Sequence, residues 1–277
     1  GMDIGTGKEL PVNAKFQMSN DKLGFYKIQG IRLWGYDLVW PDEEFSVKNY
    51  LDFAYRVIKK IYKQGKLPIL VGGTGLYIKA VTDHLPRIHI PKDSALRKRL
   101  EGKKSVKQLF GMLVKKSPVF AIKLNASDRS NPRRLIRALE IASYERSLCP
   151  EEERQDFDSI LLVGLTTDKK RLYERINKRV EERINSDFEG EIEYLRRKDF
   201  LKNAPSVTLG YREWIEYLDN KVGKDEAIRR WQAQERQYAK RQTTWFKKDR
   251  RINWFDVSYN SFLENVEKLV KNWYYNK

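Results

Sequence analysis

Leu67-Pro68-Ile69-Leu70-Val71-Gly72-Gly73-Thr74-Gly75-Leu76-Tyr77-Ile78-Lys79-Ala80 is the stretch that decides the fold. Residues 69–71 are short, apolar and free of charge, the pattern of a strand buried on both faces of a parallel sheet. Gly72, Gly73 and Gly75 predict a tight turn, and Leu76, Ile78 and Ala80 predict a helix after it. A turn between strand end and helix start leaves N–H groups and the positive end of a dipole facing outward, where an anion or a polarised substrate can dock. The Thr74 hydroxyl would meet that substrate. Plain chain reversal uses the same glycine pattern at least as often, so the stretch fixes a fold class before it fixes a function.

Working outward, residues 45–62 carry apolar side chains at helical spacing, with Ser46 as N-cap and Gln64-Gly65-Lys66 as the stop before Pro68. Helix, loop and buried strand form half of a crossover unit and predict an α/β fold with a parallel sheet. Residues 159–165 read as a second buried strand, and residues 31–33 as a short one. Beyond Ala80 the chain changes character. Pro86 and Pro91 bracket a stiff connection, and residues 94–100 and 106–114 read as short basic helices suited to nucleic-acid phosphates. His84 and His89 have no cysteine or carboxylate cluster near them in sequence, so no metal site is expected. The first residues fail as a phosphate loop, because Met2 and Glu9 stand where a glycine and a Ser or Thr are needed. Residues 5–8 therefore read as a surface turn.

Lys and Arg number 55 against 38 Asp and Glu, a net charge of +17 over 277 residues. This excess points to a polyanion, nucleic acid before membrane, with a merely solvated basic surface as the alternative. The single Cys149 excludes an internal disulfide and fits a reducing, cytoplasmic setting. No apolar segment suggests a membrane span.

Three basic clusters stand out. Asn131-Pro132 opens a helix whose first turns hold Arg133, Arg134 and Arg137, against the helix dipole. An arriving anion would relieve that conflict, and so would acidic neighbours. From Lys169 a long helix places Arg171, Arg175, Arg179 and Arg183 at four-residue spacing, a row that suits a diphosphate or RNA backbone unless Glu174, Glu181 and Glu182 pair with it. Residues 225–246 predict a helix ending in Gln237-Tyr238-Ala239-Lys240-Arg241-Gln242-Thr243-Thr244-Trp245-Phe246, where aromatics among cations can stack on unpaired bases or simply serve the core. Residues 262–275 read as a closing helix.

Taken together, Gly1-Met2-Asp3-Ile4-Gly5-Thr6, the stretch from Leu70 to Tyr77, Asn131-Pro132-Arg133-Arg134 with Arg137-Ala138-Leu139-Glu140, Gly210-Tyr211-Arg212-Glu213, and Ala239-Lys240-Arg241-Gln242 with Thr244-Trp245 resemble the tRNA dimethylallyltransferases in order along nearly the whole chain. The resemblance implies a phosphate-loop, nucleotide-kinase-like parallel sheet flanked by helices, with residues 1–83 and 131–277 as core and 84–130 as a helical insert that grips tRNA. It implies transfer of a dimethylallyl group from its diphosphate to N6 of adenosine 37, beside the anticodon, with Mg2+ in the complete enzyme. It places Thr74 at the reacting centre and Arg175 and Arg179 on the diphosphate. Arg97, Arg133, Arg134, Arg137, Gly210, Tyr211, Arg212, Lys240, Arg241, Gln242, Thr244 and Trp245 would lie on the tRNA anticodon stem-loop. A cytoplasmic monomer is expected.

The chain departs from the family at three places. Arg183 and Asp187 stand where methionine and glycine are usual. The family's phosphate loop and catalytic aspartate precede the Gly1-Met2-Asp3 segment and find no match, so a truncated chain with little activity of its own is expected. The competing expectation is a non-catalytic RNA-binding remnant. A nucleotide-type kinase is a third and weaker one.

Overall fold

The computed structural model describes residues 1–276 apart from 9, 12, 13, 21, 84, 86, 103, 145–155 and 203–207. His84, Pro86 and Cys149, and what was expected of them, lie outside the described residues. In chain order the elements are β1 (Phe16–Met18), β2 (Gly24–Ile28), β3 (Ile31–Trp34), α1 (Val47–Lys63), α2 (Gly75–Thr82), α3 (Ser94–Leu100), α4 (Val106–Lys116), α5 (Pro118–Lys123), α6 (Ala126–Arg129), α7 (Pro132–Ser143), β4 (Leu162–Thr166), α8 (Lys169–Ile184), α9 (Phe188–Arg197), α10 (Tyr211–Leu218), α11 (Lys224–Phe246), β5 (Ile252–Asp256) and α12 (Phe262–Tyr275). They fall into two compact units, one of Gly1–Thr82 with Phe157–Lys277 and one of Asp83–Asp156.

The first unit is mixed α/β. Strands β4 and β5 pair in parallel, Leu162 opposite Ile252 and Thr166 opposite Asp256. Strands β1, β2 and β3 form a separate antiparallel meander. Helix α1 follows from its sequence: Leu51, Ala54, Val57 and Ile58 recur at helical spacing and are buried. Ser46 and Asn49 close a reciprocal capping box, with the Asn49 N–H donating to Ser46 Oγ at 3.2 Å and the Ser46 N–H to Asn49 Oδ1 at 3.0 Å. The core is aromatic. Phe188, Tyr211, Trp214 and Trp231 are fully buried, with Val180, Ile192 and Leu195 around them. Phe188 lies 5.0 Å from Tyr211 and 4.9 Å from Trp231 between ring centres, in edge-on and tilted arrangements that aromatic quadrupoles favour.

Two expectations need correction here. Residues 67–71 form no strand, and Ile69 and Val71 are 79% and 86% exposed. Strand β4 sits where expected, yet Leu165 is 59% exposed, so it is not buried on both faces. Both have one cause. An apolar run specifies the faces of a strand but not the neighbours that cover them, and among the described residues the parallel sheet has only two strands. The short strand expected at 31–33 is present as β3, though in the antiparallel meander.

The second unit is helical. Its core joins Leu96 and Leu100 of α3, Leu109 and Leu113 of α4, Ala121 of α5, and Leu135, Ile136, Ala138 and Leu139 of α7. Helix α7 therefore belongs with this unit, past the boundary at residue 130 expected from sequence. Its apolar stripe closes over α4, which residues 84–130 alone would leave bare.

Candidate active site

The glycine turn shows why each of its glycines is there. None of Gly72, Gly73 and Gly75 has a positive φ, so left-handed backbone is not the reason. A Cβ on Gly73 would overlap the Gln242 amide, and one on Gly75 would overlap the Trp245 indole, whereas Gly72 faces open space. Gln242 Nε2 donates to the Gly73 carbonyl at 2.9 Å. Close approach of α11 is thus what requires glycine at 73 and 75. Thr74 is exposed, and its carbonyl starts α2 by accepting from the Tyr77 and Ile78 N–H groups at 2.9 and 3.1 Å.

Helix α11 also packs on α8. Along α8 the arginine row divides. Among the described residues Arg175 and Arg179, both exposed, have no acidic partner, while Arg171 lies 3.7 Å from Asp168. Glu181 and Glu182 instead meet Gln232 and Lys178. Arg183 is committed to the fold: its guanidinium packs on Gly7, at φ 69, and Nη1 donates to Glu235 at 3.2 Å, both side chains being nearly buried. Arg236 Nη1 ties α11 to Asn177 of α8 at 2.6 Å.

The segment before Lys8 is a turn, but not the surface turn expected: Gly5 is buried against Tyr211 and Phe188, and the segment is clamped. Glu191 of α9 accepts from the N–H groups of Asp3, Ile4 and Gly5 at 2.8, 2.7 and 3.2 Å, and also from the Tyr211 hydroxyl. Burial, together with the adjacent Glu191 carboxylate, pushes the Tyr211 phenol far above its ordinary value, so it stays a donor at any working pH. Lys8 Nζ bridges Asp3 and Asp37 at 2.5 and 2.7 Å. Burial alone would lower the Lys8 pKa, but the two carboxylates outweigh it and hold the ammonium more firmly protonated. Asp187, at φ 62, occupies the left-handed region that the family's usual glycine takes easily.

Several residues expected on the RNA surface sit elsewhere. Gly210 and Tyr211 are buried, Gly210 at φ 86 against the Trp231 ring. Arg212 is half-exposed and bound to the buried Glu213. Lys240, Arg241, Thr244 and Trp245 are exposed along the last turns of α11, with Arg241 over the Tyr238 ring at 5.7 Å. In the helical unit, Glu140 is buried and bonded by Arg97 at 2.6 and 3.1 Å, by Arg137 at 3.1 Å and by the Asp93 N–H at 3.0 Å. Burial would raise the Glu140 pKa, but the bonds from Arg97, Arg137 and the Asp93 N–H win and hold it below the usual carboxylate range. Arg134 pairs with Asp128 at 2.8 Å, and Arg133 is exposed, with no acidic partner among the described residues. Acidic pairing thus answers the dipole conflict on α7 for two of its three arginines.

Sequence reasoning missed Glu191, Glu235 and Glu140 as organising carboxylates. Only Glu140 leaves a local signal, three residues after Arg137 on the same helix face.

The family model for IPP transferase matches residues 1–249. The chain belongs to the IPP transferase family. It is 37% identical over 279 residues to the tRNA dimethylallyltransferase of Carboxydothermus hydrogenoformans, covering 97% of this chain and 84% of that protein. With the tRNA dimethylallyltransferase of Finegoldia magna the identity is 34%, covering 100% and 86%. Among solved structures, the tRNA isopentenylpyrophosphate transferase of Bacillus halodurans superposes with a TM-score of 0.63 at 30% identity, over 98% of this chain and 83% of that one. The corresponding transferase of Staphylococcus epidermidis, at 24% identity and a TM-score of 0.64, supports the fold. This IPP transferase family chain thus has the mixed α/β architecture with a parallel sheet and many helices that the resemblance implied.

Proposed function

We infer that the chain is a tRNA dimethylallyltransferase, moving the dimethylallyl group of dimethylallyl diphosphate to N6 of adenosine 37 in tRNA. The N6 lone pair forms a bond to the allylic carbon as the carbon–oxygen bond breaks. Diphosphate leaves with the electron pair, and the N6 proton passes to solvent or a base. In this reading Arg175 and Arg179 hold the diphosphate, each guanidinium fork offering two parallel donors to its oxygens. Thr74, exposed at the glycine turn, lies beside the reacting atoms. The observation that carries the reading is that one helix, α11, packs on both α2 and α8, so the Thr74 turn and the free arginines share a support that also bears the exposed Lys240, Arg241, Thr244 and Trp245.

The target base must leave its stack to reach a site within the protein, which favours an unpaired loop such as that of the anticodon. On the helical unit the exposed Arg133 meets the stem, and Arg97, Arg134 and Arg137 present what their ion pairs leave over. In the α/β unit the buried Gly210 and Tyr211 act by holding the start of α10, which leaves Arg212 exposed for RNA. Mg2+ comes to this reading from the resemblance. Among the described residues no group of three or more His, Cys, Asp or Glu side chains could hold a metal ion. Among those residues, too, no helix is long and apolar enough to cross a membrane. The reading assigns the chain to the cytoplasm, acting as a monomer.

Labelled dimethylallyl diphosphate and an anticodon stem-loop test it. Label on the loop adenosine is the expected result. A stem-loop that binds but stays unlabelled, even with the phosphate-loop segment of a relative joined ahead of Gly1, would return the RNA-binding reading instead.

A further inference from the structure

Gln242 and Trp245 resemble tRNA-binding positions, yet the structure gives both another task. Gln242 donates to the Gly73 carbonyl at 2.9 Å, and the Trp245 indole packs on the Gly75 α-carbon so closely that no side chain fits there. Between these two contacts lies Thr74, whose carbonyl receives the first N–H bonds of α2. Neither residue belongs to the aromatic core, and Trp245 remains 44% exposed, so core packing does not account for them. On its N-terminal side the turn is unsupported by a strand, since residues 69–71 are exposed and in none, whereas beyond it α2 rests on α1 through Tyr77 stacked on Tyr50 at 4.5 Å.

We propose that Gln242 and Trp245 are positioning residues that clamp the turn at residues 73–75, and with it Thr74, onto the helix that meets tRNA. The inference rests on the transferase reading for its effect on rate, but the clamp itself is a structural claim that stands or falls without it. A bond to a backbone carbonyl and a ring laid over a glycine act on main-chain position, and main-chain position sets where the Thr74 hydroxyl points. An error near 1 Å at a reacting centre costs about a hundredfold in rate. The exposed face of Trp245 remains free to stack on a base, so a loop nucleotide seated there would press the ring against Gly75 and tighten the turn.

The test uses the whole chain and three variants. Gln242→Met keeps length and removes the donor, and Trp245→Leu removes the ring. Gly75→Ala disturbs the same contact from a side that offers tRNA no side chain. Amide hydrogen exchange at Tyr77 and Ile78, which bond to Thr74, is measured without substrate. Binding of an anticodon stem-loop and single-turnover transfer are measured beside it. Each variant is expected to speed exchange at these two amides at least tenfold. Gln242→Met and Gly75→Ala should also lower the transfer rate tenfold or more while stem-loop affinity stays within twofold. Unchanged exchange would overturn the proposal, as would a loss of stem-loop affinity in Gln242→Met large enough to account for its whole rate defect. If the unaltered chain transfers nothing, even with the phosphate-loop segment of a relative joined ahead of Gly1, the transferase reading fails, and the exchange measurement still decides whether the clamp exists.

Discussion

Glu140 shows what a single carboxylate can organise. It is buried yet charged, because two guanidinium groups and a backbone N–H meet its oxygens. Removing it unpairs Arg97 and Arg137, but both are partly exposed and Arg137 keeps the carbonyls of Arg87, Ile90 and Pro91, so Glu140→Ala should cost about 1–3 kcal/mol. Urea denaturation followed by far-UV circular dichroism would measure it. The pH dependence has a definite sign. A carboxyl held below its ordinary value of 4.5 contributes stability that is present above about pH 4.5 and lost as pH falls through the folded value. The wild-type urea midpoint should therefore drop on going from pH 6 to pH 3, and Glu140→Gln should flatten that component. At this scale the sequence was partly legible. Arg97 and Arg137 were singled out as cations but not as ligands of a shared carboxylate, since Arg97 lies 43 positions from Glu140. Glu191 was invisible for the same reason: its partners Asp3, Ile4 and Gly5 are at the other end of the chain.

Among elements, α8 separates the two jobs an arginine can do. Arg183 is locked to Glu235, whereas Arg175 and Arg179 project into solvent. Replacing both exposed arginines by alanine should shift stability by less than about 0.5 kcal/mol for each change, as for ordinary surface sites. It should raise the KM for dimethylallyl diphosphate tenfold or more, with stem-loop affinity changed far less. Steady-state kinetics at saturating RNA would separate these effects. Helices were the legible elements. The spacing at residues 94–100 and 262–275 gives α3 and α12 directly, and Ser46 marks the start of α1, because caps and amphipathic stripes are local. The run at 69–71 was misread because pairing is not local. Three apolar residues state a preference for burial, and only a neighbouring strand can satisfy it. The glycines beside it were recognised as significant but for the wrong cause, turn geometry instead of the nearness of α11.

For the molecule as a whole, the charge of +17 sets how RNA is met. Binding that neutralises six to ten phosphates should weaken roughly 10³- to 10⁵-fold between 50 and 200 mM salt. A filter-binding series over that range would check this, and salt-independent association would contradict the RNA reading altogether. The helical unit and the α/β unit have separate cores, so Glu140→Ala should act on the transition of the helical unit and spare the other. This division was only half legible: the basic insert announces itself by composition, but its last helix looks from its sequence like any other amphipathic segment. The exposed, β-prone side chains of Ile69 and Val71 also bear on handling, for they suit cross-β stacking between molecules. Purified protein should scatter light increasingly with concentration and incubation time, and a gatekeeper change, Val71→Lys, should suppress that turbidity while leaving the far-UV spectrum unaltered.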